Sequence, residues 1–222
     1  IKKPRFEDSF LATALIGIVV SQTVVMLEVW EPFMEWFESI TGIANFTVAW
    51  TIIFAGAMII PILLMLVSSF ISTLIPVKSV MSDMIMDKSA EANLASKSTV
   101  ENKIISNFVR YGYALIPLGL GIHLAHNAKH FLGEGLSVVY TMASLAGFDY
   151  SGDLSLLNMP TIQVIQYILT TLGVLGAVYT AYRISQNNHN SRSSVLPYIL
   201  LILMFGAIAL WMYSVPMAAR AH

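Results

Sequence analysis

Apolar residues along the chain fall into five long runs, which short polar connections separate. A helix needs about 20 apolar residues to cross the hydrocarbon core of a bilayer, and each run is close to that length or exceeds it. The pattern therefore predicts an all-α integral membrane protein, a bundle of about five transmembrane helices in one domain covering residues 1–222. The predicted spans are residues 10–30, 48–75, 105–127, 162–182 and 196–213.

Amphipathic stretches in the connections predict one or two further helices at the membrane interface. Pro32 follows the first apolar run directly, so it either kinks that helix or starts a second, interfacial one. Residues 80–86 and residues 136–145 have the composition of short interfacial segments. The bundle is thus expected to carry short helices beside its spans.

Polar residues at two places predict where helices begin. Ser98, with Glu101 three residues later, fits a capping box ahead of the third span. Asn158, followed by Pro160, fits the cap and the first position of the fourth helix.

The composition supports a membrane protein and excludes several other classes. Hydrophobic residues make up 56% of the 222 residues and charged residues 11%, against about 25% charged residues in soluble domains. The formal net charge of −1 gives no basic face for nucleic acid, so no nucleic-acid partner is expected. The chain contains no cysteine, which excludes disulfide, zinc–thiolate and iron–sulfur sites built from this chain alone.

Basic residues are distributed asymmetrically between the connections, and this asymmetry predicts an orientation. Lys and Arg concentrate in the N-terminal segment and in the second and fourth connections, whereas the first and third connections carry more acidic than basic residues. Basic connections remain on the cytoplasmic side of a membrane. The N-terminus is therefore predicted inside and the C-terminus outside, with a bacterial inner (cytoplasmic) membrane as the expected location.

Three histidines share one face at the end of the third span: His123, His126 and His130. At about 100° per residue their side chains point within about 60° of one another, and Asn127 and Glu134 fall on the same stripe. Polar side chains concentrated at the end of an apolar span are costly unless they bind something or each other. The three histidines are therefore the candidate cofactor-binding and metal-binding residues, and the predicted orientation places them at the outer surface.

A second polar stripe follows the first span, on the same predicted side of the membrane. Glu28, Glu31, Glu35 and Glu38 recur at helical spacing with aromatic residues between them. They fit either a solvated acidic face on an interfacial helix or an acidic mouth that attracts cations. Because imidazole suits copper, zinc, iron and nickel, Glu28, Glu31 and Glu35 are candidates to complete a metal site with the histidines.

Three kinds of chemistry fit the histidine stripe. A haem b held by two histidines needs them on different elements. Only the third span contains histidine, so a haem would take one axial ligand here and the other from a methionine or another subunit. A transition metal such as copper or iron would use the histidines with the glutamates, and a proton relay would serve a quinone site. The alternative is a structural role, in contacts with one another, lipid headgroups or a partner subunit.

The segments KKPRFEDSF and YALIPLGLGIHLAHNAKHFLGEG resemble the membrane parts of bacterial membrane-bound polyferredoxins, which feed electrons to periplasmic reductases such as nitrate and nitrous oxide reductases. The resemblance implies a quinol- or ferredoxin-linked electron-transfer subunit. The cysteine motifs that define the family are absent from this chain. The resemblance therefore implies iron–sulfur clusters in an upstream segment or in a partner chain, and it assigns no functional residue.

The sequence favours an integral membrane subunit of a respiratory or other redox complex, whose outer histidine stripe contacts a metal, haem or quinone. Short connections without a soluble domain are more typical of a non-catalytic or electron-transfer subunit than of a free-standing enzyme. The expected partners are the lipid bilayer and other membrane or periplasmic subunits. Two alternatives stay open: a metal-cation transporter component with an outer Glu/His binding station, and a structural membrane anchor for peripheral redox subunits.

Overall fold

The computed structural model of the protein describes residues 5–75, 91–148, 155–187 and 192–216, which form seven α-helices and no β-strand. The helices are α1 (Phe6–Val24), α2 (Trp30–Thr41), α3 (Phe46–Leu74), α4 (Glu91–Gly112), α5 (Leu115–Leu145), α6 (Met159–Asn187) and α7 (Leu196–Ser214). A short 3-10 helix, Arg192–Val195, leads directly into α7.

Among the described residues, four helices are long and apolar enough to cross a membrane: α1, α3, α6 and α7. The part of α4 from Val100 onward passes the same test when it is joined with α5 as one bent span. The structure therefore confirms a helical membrane protein with four to five candidate spans. The bounds of α3, α6 and α7 agree with the predicted second, fourth and fifth spans to within five residues.

The first span is shorter than the sequence predicts. α1 ends at Val24 instead of residue 30, and residues 25–29 form turns. α2 starts as a separate helix at Trp30, with Pro32 in its first turn. A proline is tolerated there because the first N–H groups of a helix have no intrahelical acceptor. Pro32 thus belongs to the start of a second helix and does not kink the first.

The third span is a bent pair of helices. α4 ends at Gly112 and α5 begins at Leu115, with a bend of 42° between them. Pro117 accounts for the break, because it has no N–H to donate to the carbonyl of Tyr113 and its ring crowds that carbonyl. The bend therefore lies one turn before the proline.

α5 is also longer than the predicted span, and this corrects two expectations. The sequence predicts an end near residue 127 and a separate interfacial helix at residues 136–145, but one continuous helix runs to Leu145. No proline follows Pro117 within α5, so the i to i−4 hydrogen bonds continue. The last turns of α5 leave large apolar side chains exposed, namely Phe131, Val138, Val139, Met142 and Leu145.

One of the two predicted helix caps is confirmed. Asn158 Oδ1 accepts a hydrogen bond from the backbone N–H of Thr161 at 3.1 Å, at the start of α6. The capping box at Ser98 is wrong, because α4 already begins at Glu91 and Ser98 lies inside it. Residues 80–86, the other predicted interfacial segment, lie outside the described residues.

Small residues bring the helices into close contact. A Cβ atom on Gly17 of α1 would overlap the carbonyl oxygen of Ala57 in α3. Between α5 and α6, a Cβ atom on Gly121 would lie 2.7 Å from the carbonyl oxygen of Leu169 and 2.8 Å from Cα of Gly173. Lipid tails are as apolar as the side chains, so helix association in a membrane depends on such close packing.

α1 runs parallel to α5 and to the end of α4, which gives the bundle two chemically different ends. At the start of α1, the Ser9 hydroxyl donates to the carbonyl oxygen of Val109 at 2.5 Å. At the end of α1, Thr23 lies beside His126. The end of the bundle near Ser9 is named the basic end, and it holds Arg5, Lys103 and Arg110. The opposite end is named the histidine end, and it holds His126 and His130.

Replacing Gly17 by alanine is expected to destabilise the bundle. The added Cβ atom would displace the backbone of α3, and overpacking of this kind costs about 1–3 kcal/mol. The matched control is Gly56→Ala, one residue from Ala57, where a Cβ atom meets nothing within 4 Å. There alanine favours the helix by about 0.5–1 kcal/mol. Thermal unfolding of the purified protein in detergent measures both, and equal stability of the two variants would contradict the close contact.

Candidate functional site

The ring of His126 is held by α1. Its Nδ1 atom lies 3.0 Å from Oγ1 of Thr23, and the ring is half-buried. The Thr23 hydroxyl has one hydrogen, which it donates to the carbonyl oxygen of Val19 at 2.8 Å. With this hydrogen directed to Val19, Thr23 accepts from His126, and Nδ1 carries the proton in that arrangement. In the neutral imidazole the lone pair of Nε2 is then available to a ligand or a proton.

The ring of His130 is held in the same manner by its own helix. Its Nδ1 atom lies 3.4 Å from Oε2 of Glu134, and both side chains are about one third exposed. An ionised carboxylate only accepts hydrogen bonds, so Nδ1 of His130 is again the donor. Carboxylate partners of this kind fix the tautomer and the ring orientation of histidines that bind metals.

The two rings are direct neighbours at the histidine end. The ring centroids of His126 and His130 are 5.0 Å apart, and the planes meet edge to face at 68°. In the described part of the chain neither Nε2 atom has a hydrogen-bond partner. Histidines at positions i and i+4 of a helix form a pair that can bind one metal ion. The arrangement therefore offers two oriented imidazole nitrogens on adjacent turns.

His123 is separate from this pair. Its side chain is exposed, one turn before His126. The side-chain NH₂ group of Asn127 donates to the carbonyl oxygen of His123 at 2.8 Å and lies 3.3 Å from Nε2 of the same residue. The predicted stripe of five residues thus divides into an exposed His123–Asn127 pair and a half-buried group of His126, His130 and Glu134.

The predicted union of the two polar stripes is not formed within the described residues. Glu28 lies in the turn before α2, outside the helix that carries Glu31 and Glu35, and all three side chains are exposed. The described residues contain no group of three His, Asp or Glu side chains placed to hold one metal ion. The glutamates as metal ligands stay a prediction. His189 lies outside the described residues.

Hydrogen bonds from α6 and α7 hold α5 at the histidine end. Gln166 Nε2 donates to the carbonyl oxygen of Ala125 at 3.1 Å, and the Tyr213 hydroxyl donates to that of Ile122 at 2.9 Å. Gln163 Nε2 joins the two helices by donating to the carbonyl oxygen of Tyr213 at 2.7 Å. The backbone that carries the histidines is thus fixed from two sides.

Sequence reasoning missed Lys129, a buried cation between the two paired histidines. Only 9% of its surface is exposed. Its helical register would have indicated its burial. Lys129 continues the buried face of Leu118, Ile122 and Ala125 at spacings of three and four residues.

An apolar cavity of about 320 Å³ lies at the same end of the bundle, on another side of α1. α1, α2, α3 and α7 contribute to it, and its walls include Trp30, Phe33, Trp50, Phe54 and Trp211. The rings of Trp50 and Phe54 stack with centroids 4.9 Å apart. Aromatic walls of this kind suit a flat or elongated apolar molecule.

No protein-family model, curated protein or solved structure matches this chain.

Replacing Thr23 by valine is expected to change the tautomer of His126. Valine keeps the shape but removes the acceptor, so the proton redistributes from Nδ1 toward Nε2. The matched control is Thr23→Ser, which retains the hydroxyl. Nitrogen NMR of protein labelled at histidine distinguishes protonated from unprotonated ring nitrogens. An unchanged His126 tautomer in Thr23→Val would show that Thr23 does not set it.

Proposed function

We propose that the chain is the integral membrane subunit of a respiratory or other redox complex. In this proposal His126 and His130, at the outer side of the membrane, contact a metal, haem or quinone of the assembly. The observation that carries it is the orientation of the two rings: Thr23 and Glu134 occupy both Nδ1 atoms, which leaves both Nε2 atoms for a ligand. Two imidazoles at one span end, held by hydrogen bonds and left open on the same atom, resemble half of a coordination site.

The geometry favours a transition metal among the three cofactor classes. A haem iron needs its two axial ligands on opposite faces of the ring, and two histidines on adjacent turns of one helix share a side. One of them remains available as a single axial ligand. Copper or iron, by contrast, accepts neighbouring imidazoles, with its other ligands coming from the Glu28, Glu31 and Glu35 stripe or from a partner subunit.

A quinone is supported by a different set of contacts. An unprotonated Nε2 atom would accept a proton from a bound quinol, whose electrons would pass to another redox centre of the assembly. The half-exposed Glu134, paired with His130, is positioned to pass that proton onward. The apolar cavity at the same end has the aromatic walls that a quinone ring or its tail requires.

The incompleteness of the site supports the subunit role. Two oriented nitrogens fill only part of a metal or haem coordination sphere, and the proposal assigns the remaining contacts to other subunits of the assembly. The distribution of Lys and Arg supports an N-terminus inside and a C-terminus outside in a bacterial cytoplasmic membrane. Partner subunits on the membrane or periplasmic side would then meet the histidine end.

The decisive experiment compares single histidine variants in the complex purified from its native membrane. We expect His126→Gln and His130→Gln each to lower the bound cofactor at least about tenfold, because each removes one of two ligand atoms. The matched control is His123→Gln, on the same helix but outside the pair, and it is expected to retain the cofactor. Metal analysis, a visible spectrum and quinone extraction identify the cofactor class.

Co-purifying subunits are identified from the same preparation. Full cofactor content in both His126→Gln and His130→Gln would refute the ligand role. A native complex that contains no metal, haem or quinone would refute the redox assignment itself.

A further inference from the structure

A polar cavity of about 310 Å³ opens at the basic end of the bundle. Its walls are the last turn of α3, one face of α4 and the 3-10 helix before α7. The polar and charged residues that line it include Ser72, Thr73, Lys103, Asn107, Arg110 and Ser194.

The cavity is positively charged. Lys103, Asn107 and Arg110 lie on one face of α4 at spacings of four and three residues, so the two cations are about 10 Å apart along the helix. Glu101 is the nearest acidic residue of α4 among those whose side chains are described, and it lies on the opposite face, about 180° from Arg110. Neither Lys103 nor Arg110 forms an ion pair with a described residue. The cavity therefore combines two cations with hydroxyl and amide groups, and none of the described residues that line it is a carboxylate.

Contacts within the protein hold the walls in place. The Ser72 hydroxyl donates to the carbonyl oxygen of Ser194 at 2.8 Å, which joins the end of α3 to the 3-10 helix. Tyr111, next to Arg110, stacks on Tyr198 of α7 with ring centroids 3.9 Å apart and planes 11° from parallel. Both tyrosines are about 1% exposed. α4 and α7 thus keep their spacing without any ligand.

An apolar groove of about 270 Å³ lies between α3 and α7, toward the middle of the spans. On α3 the groove includes Val67 and Ile71, and the polar cavity begins at Ser72. On the other side the cavity includes Ser194, and the groove begins at Pro197. A charged cavity at a span end followed by an apolar groove matches the two halves of a phospholipid.

We propose that this cavity binds the phosphate of an anionic membrane phospholipid, with Lys103 and Arg110 as the charged contacts and an acyl chain along the α3–α7 groove. Guanidinium and ammonium groups are the usual partners of phosphate, and basic pockets between transmembrane helices bind lipid headgroups on the cytoplasmic side. Free phosphate carries the same charged group as the headgroup but has no acyl chain to occupy the groove. The proposal is independent of any cofactor at the histidine end.

The test is the thermal unfolding of the purified full chain in detergent during titration with phosphatidylglycerol, phosphatidylcholine or inorganic phosphate. We expect phosphatidylglycerol to raise the melting temperature in a saturable manner and the other two to leave it nearly unchanged. Lys103→Gln and Arg110→Gln should each weaken the apparent affinity about fivefold, since one basic residue near anionic lipid contributes about 1 kcal/mol. Arg183→Gln, which removes an exposed cation of α6 outside the cavity, should leave the affinity unchanged.

Three outcomes would overturn the proposal. Equal shifts with phosphatidylcholine would mean that bulk lipid stabilises the protein, and equal shifts with inorganic phosphate would mean that the site takes free phosphate. Unchanged phosphatidylglycerol affinity in Lys103→Gln and Arg110→Gln would remove the cavity from the binding. Native mass spectrometry of the same proteins counts the bound lipid directly, and it decides the question where a variant unfolds too early for a melting curve.

Discussion

The close contact between helix backbones is the constraint on which the other features depend. Inside a bilayer there is little hydrophobic gain in joining two apolar helices, so small residues must let backbones approach. Gly17 packs against Ala57 and lets α1 approach α3, and Gly121 packs against Gly173 and lets α6 approach α5. Between α1 and α5, Gly119 lies against Leu15 and the short side chain of Thr23 reaches the imidazole of His126. Larger residues at Gly121 and Gly173 would move α6 away from α5 and weaken the hydrogen bond from Gln166 to the carbonyl of Ala125.

The two ends of the bundle differ in how their polar groups are satisfied. Polar groups near lipid are costly when nothing satisfies them. At the histidine end the Nδ1 atoms, the carbonyl of Ala125 and the amide of Gln166 are satisfied by hydrogen bonds within the protein. At the basic end Lys103 and Arg110 remain without an ion-pair partner among the described residues. The histidine end presents the two Nε2 atoms of His126 and His130, whereas the basic end presents the charges of Lys103 and Arg110 to an anionic ligand.

The length and hydropathy of the runs were sufficient to predict the class of the protein and most helix bounds, because crossing a bilayer imposes a length that the sequence must show. Where the prediction differed, the cause was local: the third span was predicted as one helix, and Pro117 divides it by acting on the carbonyl four residues earlier. Helical spacing placed His126 and His130 together. It could not reveal the contact of His126 Nδ1 with Thr23, because Thr23 lies more than 100 residues away and belongs to another helix. The burial of Lys129 was readable from its register, but its place in a presumed connection concealed it.

The 42° bend between α4 and α5 also changes what α1 does for the molecule. α1 contacts α4 through Ser9 and α5 through Thr23, so it packs along both helices across the break. Pro117 cannot donate to the carbonyl of Tyr113, which accepts instead from the backbone N–H of Ile116 at 3.3 Å. The contacts with α1 hold the helices on either side of this joint. The phenol of Tyr113, which donates to Asp8 at 2.7 Å, adds a tie at the joint itself. The contacts of α1 therefore hold α4 and α5, the two halves of the divided span, in one alignment.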